Sequence, residues 1–303
     1  MEKSTILFNP HNVEPKKRTF LVPRAIREIV FTDKVAPDGV TTADASEMRD
    51  NGVVMWKDGN AAYFSTQRTG VKVTAPENSA GLFSGCTGVQ KIDASMLDVS
   101  QVKNMNGMFQ YCPSLRTLSF LSQWDVSNVT SMSRTFCDCS TLSDIDGLAG
   151  WDVSHATNMS SMFERCHKLA SVNALQKWDV SRVFTTQRMF FDCTSLNNID
   201  GLSRWDVSRV VNMSSMFEYC FALNDVTAIF DWNVRNVIDM KWMFDKGLQV
   251  AKAYPDWYID QKEERLVAAE GWPAEKPYIP KSASCHDEPD HEASAWDDDE
   301  PEL

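Results

Sequence analysis

The chain has 303 residues, of which 43% are hydrophobic and 24% charged, and a formal net charge of −12. That balance belongs to a folding globular chain and excludes a wholly disordered one. No stretch approaches the ~18 uninterrupted apolar residues of a membrane-crossing helix, and the acidic balance argues against a binder driven by attraction to nucleic-acid phosphates.

In chain order, residues 1–25 read as an N-terminal arm punctuated by Pro10, Pro15 and Pro23. Residues 26–80 read as a β-rich N-terminal cap, because Val53 to Trp56 and Ala61 to Ser65 flank Asp58-Gly59, a hairpin signal. Residues 81–247 are repetitive. Residues 248–280 read as a C-terminal cap whose segment from Ile259 to Glu270 predicts a helix ended by Gly271 and Pro273. Residues 281–303 form an acidic flexible tail with nine acids against one base, Lys281, so this short segment holds two thirds of the net charge.

The repeat dominates the reading. Trp124, Trp151, Trp178, Trp205 and Trp232 recur every 27 residues, and Cys112, Cys139, Cys166, Cys193 and Cys220 keep the same period. Phe109, Phe136, Phe163, Phe190, Phe217 and Phe244 form a third register. Val129, Met132 and Phe136 are spaced for one face of a short helix, with Ser127 as its N-cap. Leu142, Ile145 and Leu148 follow three apart, read as a brief strand between turns. Such an arch cannot close a core alone and must stack on its neighbours. The expected fold is an α/β repeat solenoid: a right-handed, leucine-rich-repeat-like coil of short strands and short helices behind the β-rich cap. About six coils at ~4.8 Å would run ~30 Å.

The pattern F-x-x-C-x-x-L-x-x-L followed by W-D-V-S-x-V-x-x-M, over about residues 82–247, resembles the BspA-like leucine-rich repeats of bacterial surface proteins. Ile26 to Pro76 resembles the segment that often precedes such repeats. The resemblance implies a leucine-rich-repeat solenoid and, commonly, adhesion or partner binding. Such proteins usually carry an export signal, lipoprotein cysteine or wall anchor. The opening MEKSTILFNPHNVEPKKRTF shows no apolar signal core. The expected location is therefore the cell surface, the extracellular space or a virion, with the cytoplasm as the alternative.

Each chemical candidate has a plain structural counterpart. The cysteine column reads as packing thiols lining the coil. Asp98, Asp125, Asp152, Asp179 and Asp206 would stack one coil apart; calcium can offset their repulsion, but so can backbone amides in the following turn, and Asn233 in the sixth unit favours amides. The Trp and Met columns read as interior steps. Aromatics available for recognition are expected where repeats vary, at Tyr111, Phe184, Phe191, Tyr219 and Phe221. Cys285, His286 and His291 in the tail match no standard zinc spacing. No phosphate loop, zinc-protease or nucleophile-elbow motif occurs, so no enzyme, cofactor or metal is expected.

The expected function is non-enzymatic binding of a protein or glycan through the outward strand face. Two columns there flank the central apolar position: Thr117, Asp144, Ser171, Asn198 and Asp225, then Ser119, Asp146, Asn173, Asp200 and Thr227. The alternative is a structural or decoration subunit of a phage particle or similar assembly, docked to other subunits through its terminal arms. Neither reading involves nucleic acid or insertion into a membrane.

Overall fold

The computed structural model describes residues 5–7, 25–48, 50–244, 258–260 and 265–267. It opens with a five-stranded sheet of order β2-β3-β4-β1-β6, formed by β1 (Glu28–Thr32), β2 (Thr42–Asp44), β3 (Val54–Asp58), β4 (Ala61–Ser65) and β6 (Lys91–Asp93). β3 and β4 pair antiparallel about the Asp58-Gly59 turn, where Gly59 takes φ 57°. A left-handed turn residue of this kind suits glycine, which has no Cβ to clash. β1 lies parallel to both β4 and β6. β6 comes from the first repeat, so the sheet and the repeats share a strand rather than meeting at a boundary. A short parallel pair, β5 (Val73–Thr74) with β7 (Leu97–Asp98), makes a second join.

Part of the expected arm belongs to this cap. Leu7 is fully buried. Its amide donates to the Thr74 carbonyl at 2.8 Å, and the Ile6 carbonyl accepts from Glu47 at 2.8 Å. Residues 1–4 and 8–24 lie outside the described residues, as does the whole acidic tail.

Beyond the sheet the chain winds into stacked coils. Parallel bridges link Asn78, Asn104, Ser131, Asn158, Thr185, Asn212 and Asp239 in succession, each one repeat from the next. Phe31 packs edge-on against Phe83, and from Phe83 an unbroken line of stacked rings runs through Phe109, Phe136, Phe163, Phe190 and Phe217 to Phe244, with centroids 5.3–5.7 Å apart. One hydrophobic core therefore joins the sheet to the last described coil. A second stack, Trp151, Trp178, Trp205 and Trp232, has spacings of 6.3–6.5 Å and nearly parallel rings.

The local structure of each coil differs from the α/β expectation. No α-helix occurs among the described residues. Where Val129, Met132 and Phe136 predicted one, the chain makes successive turns, with Arg134 and Asp138 in the left-handed region at φ 56° and 60°. The amides of Met132, Arg134, Phe136 and Asp138 donate to Asn158, Ser160, Met162 and Glu164 in the next coil, at 2.8–2.9 Å. The intervening amides close three-residue turns, such as Cys137 to the Arg134 carbonyl at 3.1 Å. Stacking thus takes every second amide that a helix would have kept for itself.

The second half of the coil is also corrected. The Leu142, Ile145, Leu148 spacing reflects turns and 3-10 helix rather than a strand, since side chains three apart eclipse there. The 3-10 segments are Ser119–Gln123, Asp146–Leu148, Asn173–Leu175, Asp200–Leu202 and Thr227–Ile229. Strand character survives only as isolated bridges, Thr117 to Asp144 and Ser171 to Asn198. Within the stretch from Ile259 to Glu270, where the sequence predicts a helix, the described residues form strands instead. β8 (Tyr258–Asp260) and β9 (Arg265–Val267) pair antiparallel there. Aromatic and β-branched residues (Tyr258, Ile259, Val267) suit a strand, and the short connection between the two permits a hairpin.

Candidate interaction surface

The repeat cysteines are bonded into the frame. The thiol of Cys112 donates to the Phe83 carbonyl, Cys139 to Phe109, Cys166 to Phe136, Cys193 to Phe163 and Cys220 to Phe190, at 3.1–3.2 Å. Burial pushes the Cys139 and Cys220 thiols up to about 12 and raises those of Cys166 and Cys193 well above the ordinary value. Thiols so held are protonated at neutral pH, and the thiolate is the reactive form.

The WDVS aspartates are similarly engaged. Asp98, Asp125, Asp152, Asp179 and Asp206 each accept the amide of the serine two residues on, at 3.0–3.1 Å. Asn233 does the same for Arg235 at 3.4 Å. Ser127 is therefore not a helix N-cap: its amide and hydroxyl both donate to Asp125. Hydrogen bonds from Ser154 and Ser208 hold the Asp152 and Asp206 carboxyls below their ordinary range. Among the described residues no group of three or more His, Cys, Asp or Glu side chains is arranged to hold a metal ion.

The two outward columns differ in what they do. Thr117, Asp144, Ser171, Asn198 and Asp225 each offer a side-chain oxygen to the amide two residues on, at 2.9–3.3 Å, and so brace the entry to the 3-10 turn. Thr117 also donates to Asp144 one coil on, at 2.9 Å. The companion column Ser119, Asp146, Asn173, Asp200 and Thr227 is exposed in every coil. It sits at the first residue of each 3-10 segment, not on a strand. No geometry brings either column to a catalytic arrangement.

The variable aromatic positions fall in two places. Phe191 is buried beneath Tyr219, which meets it edge-on at 5.2 Å, and Tyr219 meets Phe221 at 5.9 Å. Tyr219 and Phe221 remain 40% and 58% exposed. The Arg188 guanidinium lies 3.7 Å from the Phe191 ring and pairs with Glu164 at 2.8 Å. Nearby in the repeat register, Arg165 pairs with Asp138 at 3.5 Å and His167 with Asp192 at 3.2 Å. Tyr219 also adopts φ 61°, a conformation costly for a bulky side chain, at the column position that Asp138, Arg165 and Asp192 fill in other coils with the same left-handed backbone. Tyr111 occupies the same column near the opposite end and is also exposed.

The second place was only partly visible in the sequence. Phe184, Val211 and Ile238 stand in one column, joined by amide-to-carbonyl bonds of 2.8 Å from Val211 to Phe184 and from Ile238 to Val211. Phe184 and Ile238 are 44% and 55% exposed. Val211 and Ile238 were missed because an isolated aliphatic residue in a variable column carries no signal until stacking aligns it with Phe184.

Residues 77–197 and 167–265 match the family model described as Mycoplasma protein of unknown function, DUF285. The two matches overlap and together span more than half of the sequence, and the chain belongs to that family. Among solved structures it is similar to a leucine-rich repeat protein from Bacteroides ovatus, at 15% identity and a TM-score of 0.25. That alignment covers 60% of this chain and 54% of the other. No curated protein matches the chain.

Proposed function

We propose that the protein is a non-enzymatic macromolecule-binding repeat protein, built as a leucine-rich-repeat-like solenoid that presents variable side chains on a regular frame. One observation carries this reading: Tyr219 and Phe221 form an exposed aromatic pair against buried Phe191, beside Arg188, although interior positions of the same coils repeat almost unchanged. Aromatic residues with arginine, ringed by satisfied polar pairs, have the composition of an interface hot spot. A left-handed Tyr219 adds backbone cost at a place where an aspartate or glycine would serve the fold better. The ligand class is a protein or a glycan.

The outward column Ser119, Asp146, Asn173, Asp200 and Thr227 is a second candidate face, and one experiment separates the two. The labelled full chain is screened on a glycan array and a protein array, beside Tyr219→Ser/Phe221→Ser and Asp146→Lys/Asp200→Lys variants of matched thermal stability. Specific binding that the aromatic variant loses supports the aromatic group. Loss confined to the lysine variant moves recognition to the polar column, and specific binding by none overturns the reading.

A further inference from the structure

The strip of Phe184, Val211 and Ile238 is bordered by two arginines. Arg182 and Arg209 occupy the column two residues before Phe184 and Val211, both exposed. The Arg209 guanidinium sits 5.4 Å from the Phe184 ring. Among the described residues neither arginine forms an ion pair, whereas Arg165 and Arg188 on the aromatic face are both paired. The acids closest in sequence to the arginines, Asp179 and Asp206, direct an oxygen to the amides of Ser181 and Ser208, and Asp239, next to Ile238, directs one to the amide of Lys241. In the first half of the stack the apolar column holds Lys103, Thr130 and Thr157, and the arginine column holds Gln101, Asn128 and His155. Apolar surface and unpaired cations are therefore concentrated together over the later coils. A partner for such a strip carries carboxylates around a large apolar side chain: guanidinium groups take carboxylates in a forked geometry, and an indole has the area to cover a Phe-Val-Ile ridge.

In the chain itself, Trp257 (Asp256, Asp260) and Trp272 (Glu270, Glu275) stand between acids, but the densest carboxylates around a large apolar residue lie in its C-terminal segment. Trp296 stands between Glu292 and the run Asp297, Asp298, Asp299, Glu300. With the β8-β9 hairpin kept, the remaining chain from Phe244 to Lys281 still reaches on the order of 90 Å. The strip begins only two to three coils before Phe244, on the order of 15 Å at one strand spacing per coil. Tethering raises the local concentration of the tail to the millimolar range, so a weak contact suffices for occupancy. We propose that the strip of Phe184, Val211 and Ile238, with Arg182 and Arg209, is the docking site of the chain's own acidic segment 281–303, anchored by Trp296. This contact lies apart from the aromatic group at Phe191, and it stands or falls independently of the binding function proposed there.

The test uses the full chain carrying Arg182→Lys and Arg209→Lys, which keep the charge and add amines that a water-soluble carbodiimide can couple to a touching carboxylate. Mass spectrometry of a mixture of isotopically light and heavy chains separates coupling within a chain from coupling between chains. The expected result is coupling within one chain from positions 182 and 209 to acids in 287–302. Its yield should drop about tenfold on adding Trp296→Ala or Phe184→Ser, in line with loss of an aromatic anchor. Coupling to Asp179 or Asp206 alone, coupling only between chains, or tail coupling indifferent to both substitutions overturns the proposal.

Discussion

The indole of Trp178 donates to the Leu148 carbonyl one coil back at 3.0 Å, and Trp151, Trp205 and Trp232 make the same bond to Leu121, Leu175 and Leu202. Trp124 is buried without such a bond, and the coil before it carries the strand β6 where later coils present a 3-10 turn. The two tryptophans thus separate hydrogen bonding from packing. Trp178→Phe should cost more than Trp124→Phe by about 1 kcal/mol, the usual net worth of a buried hydrogen bond, as read from urea unfolding of each variant. Equal costs would assign the column to packing alone. The same logic changes the use of the outward carboxylates. Asp144 and Asp225 accept the amides of Asp146 and Thr227, so replacing them disturbs a turn as well as a surface.

At the scale of one coil, the 3-10 segments let successive turns approach closely. A Cβ on Gly147 would fall 1.9 Å from the Leu118 carbonyl oxygen, and one on Gly201 would fall 2.2 Å from that of Val172. The same position is alanine at Ala174 and Ala228. Gly and Ala therefore alternate over the four coils that follow Phe120, and each glycine sits against a carbonyl of the preceding coil. Gly147→Ala should lower stability by roughly 1–3 kcal/mol, the range of overpacking in a closed interior. The loss should appear in the thermal midpoint even though alanine is native one coil later. An unchanged midpoint would mean that the coils slide apart without cost.

Across the whole molecule, the phenylalanine line and the ladder from Asn78 to Asp239 make each coil answer mainly to its neighbours. Stability in such an array is close to a sum of unit and interface terms. Removing residues 151–177, one full period, joins Gly150 to Trp178 in register and should leave a folded, shortened stack. Removing one residue fewer puts every later column out of phase and should destroy cooperative unfolding. Circular dichroism during heating distinguishes the two products, and equal behaviour would deny that register carries the fold.

The period and the interior columns were legible in the residues alone, because a repeated Trp, Cys and Phe has no other reason to keep phase over so many units. The hairpin at Asp58-Gly59 was legible for the same local reason. The α-helix inferred from Val129, Met132 and Phe136 was not there to be found: apolar spacing specifies which side chains face inward but not where the backbone amides go. Amides are assigned only when a neighbouring coil supplies carbonyls, and that contact is tertiary. The candidate surfaces divide along the same line. Tyr219 and Phe221 announced themselves as aromatics in variable positions, whereas Val211 and Ile238 became part of a ridge only through stacking beside Phe184. By itself the sequence determined the repeat length, the inward columns and the acidic tail, which are properties of order along the chain. Only the tertiary structure decided the coil's backbone and the grouping of exposed residues, since hydrogen bonds and surface patches here join positions one repeat apart.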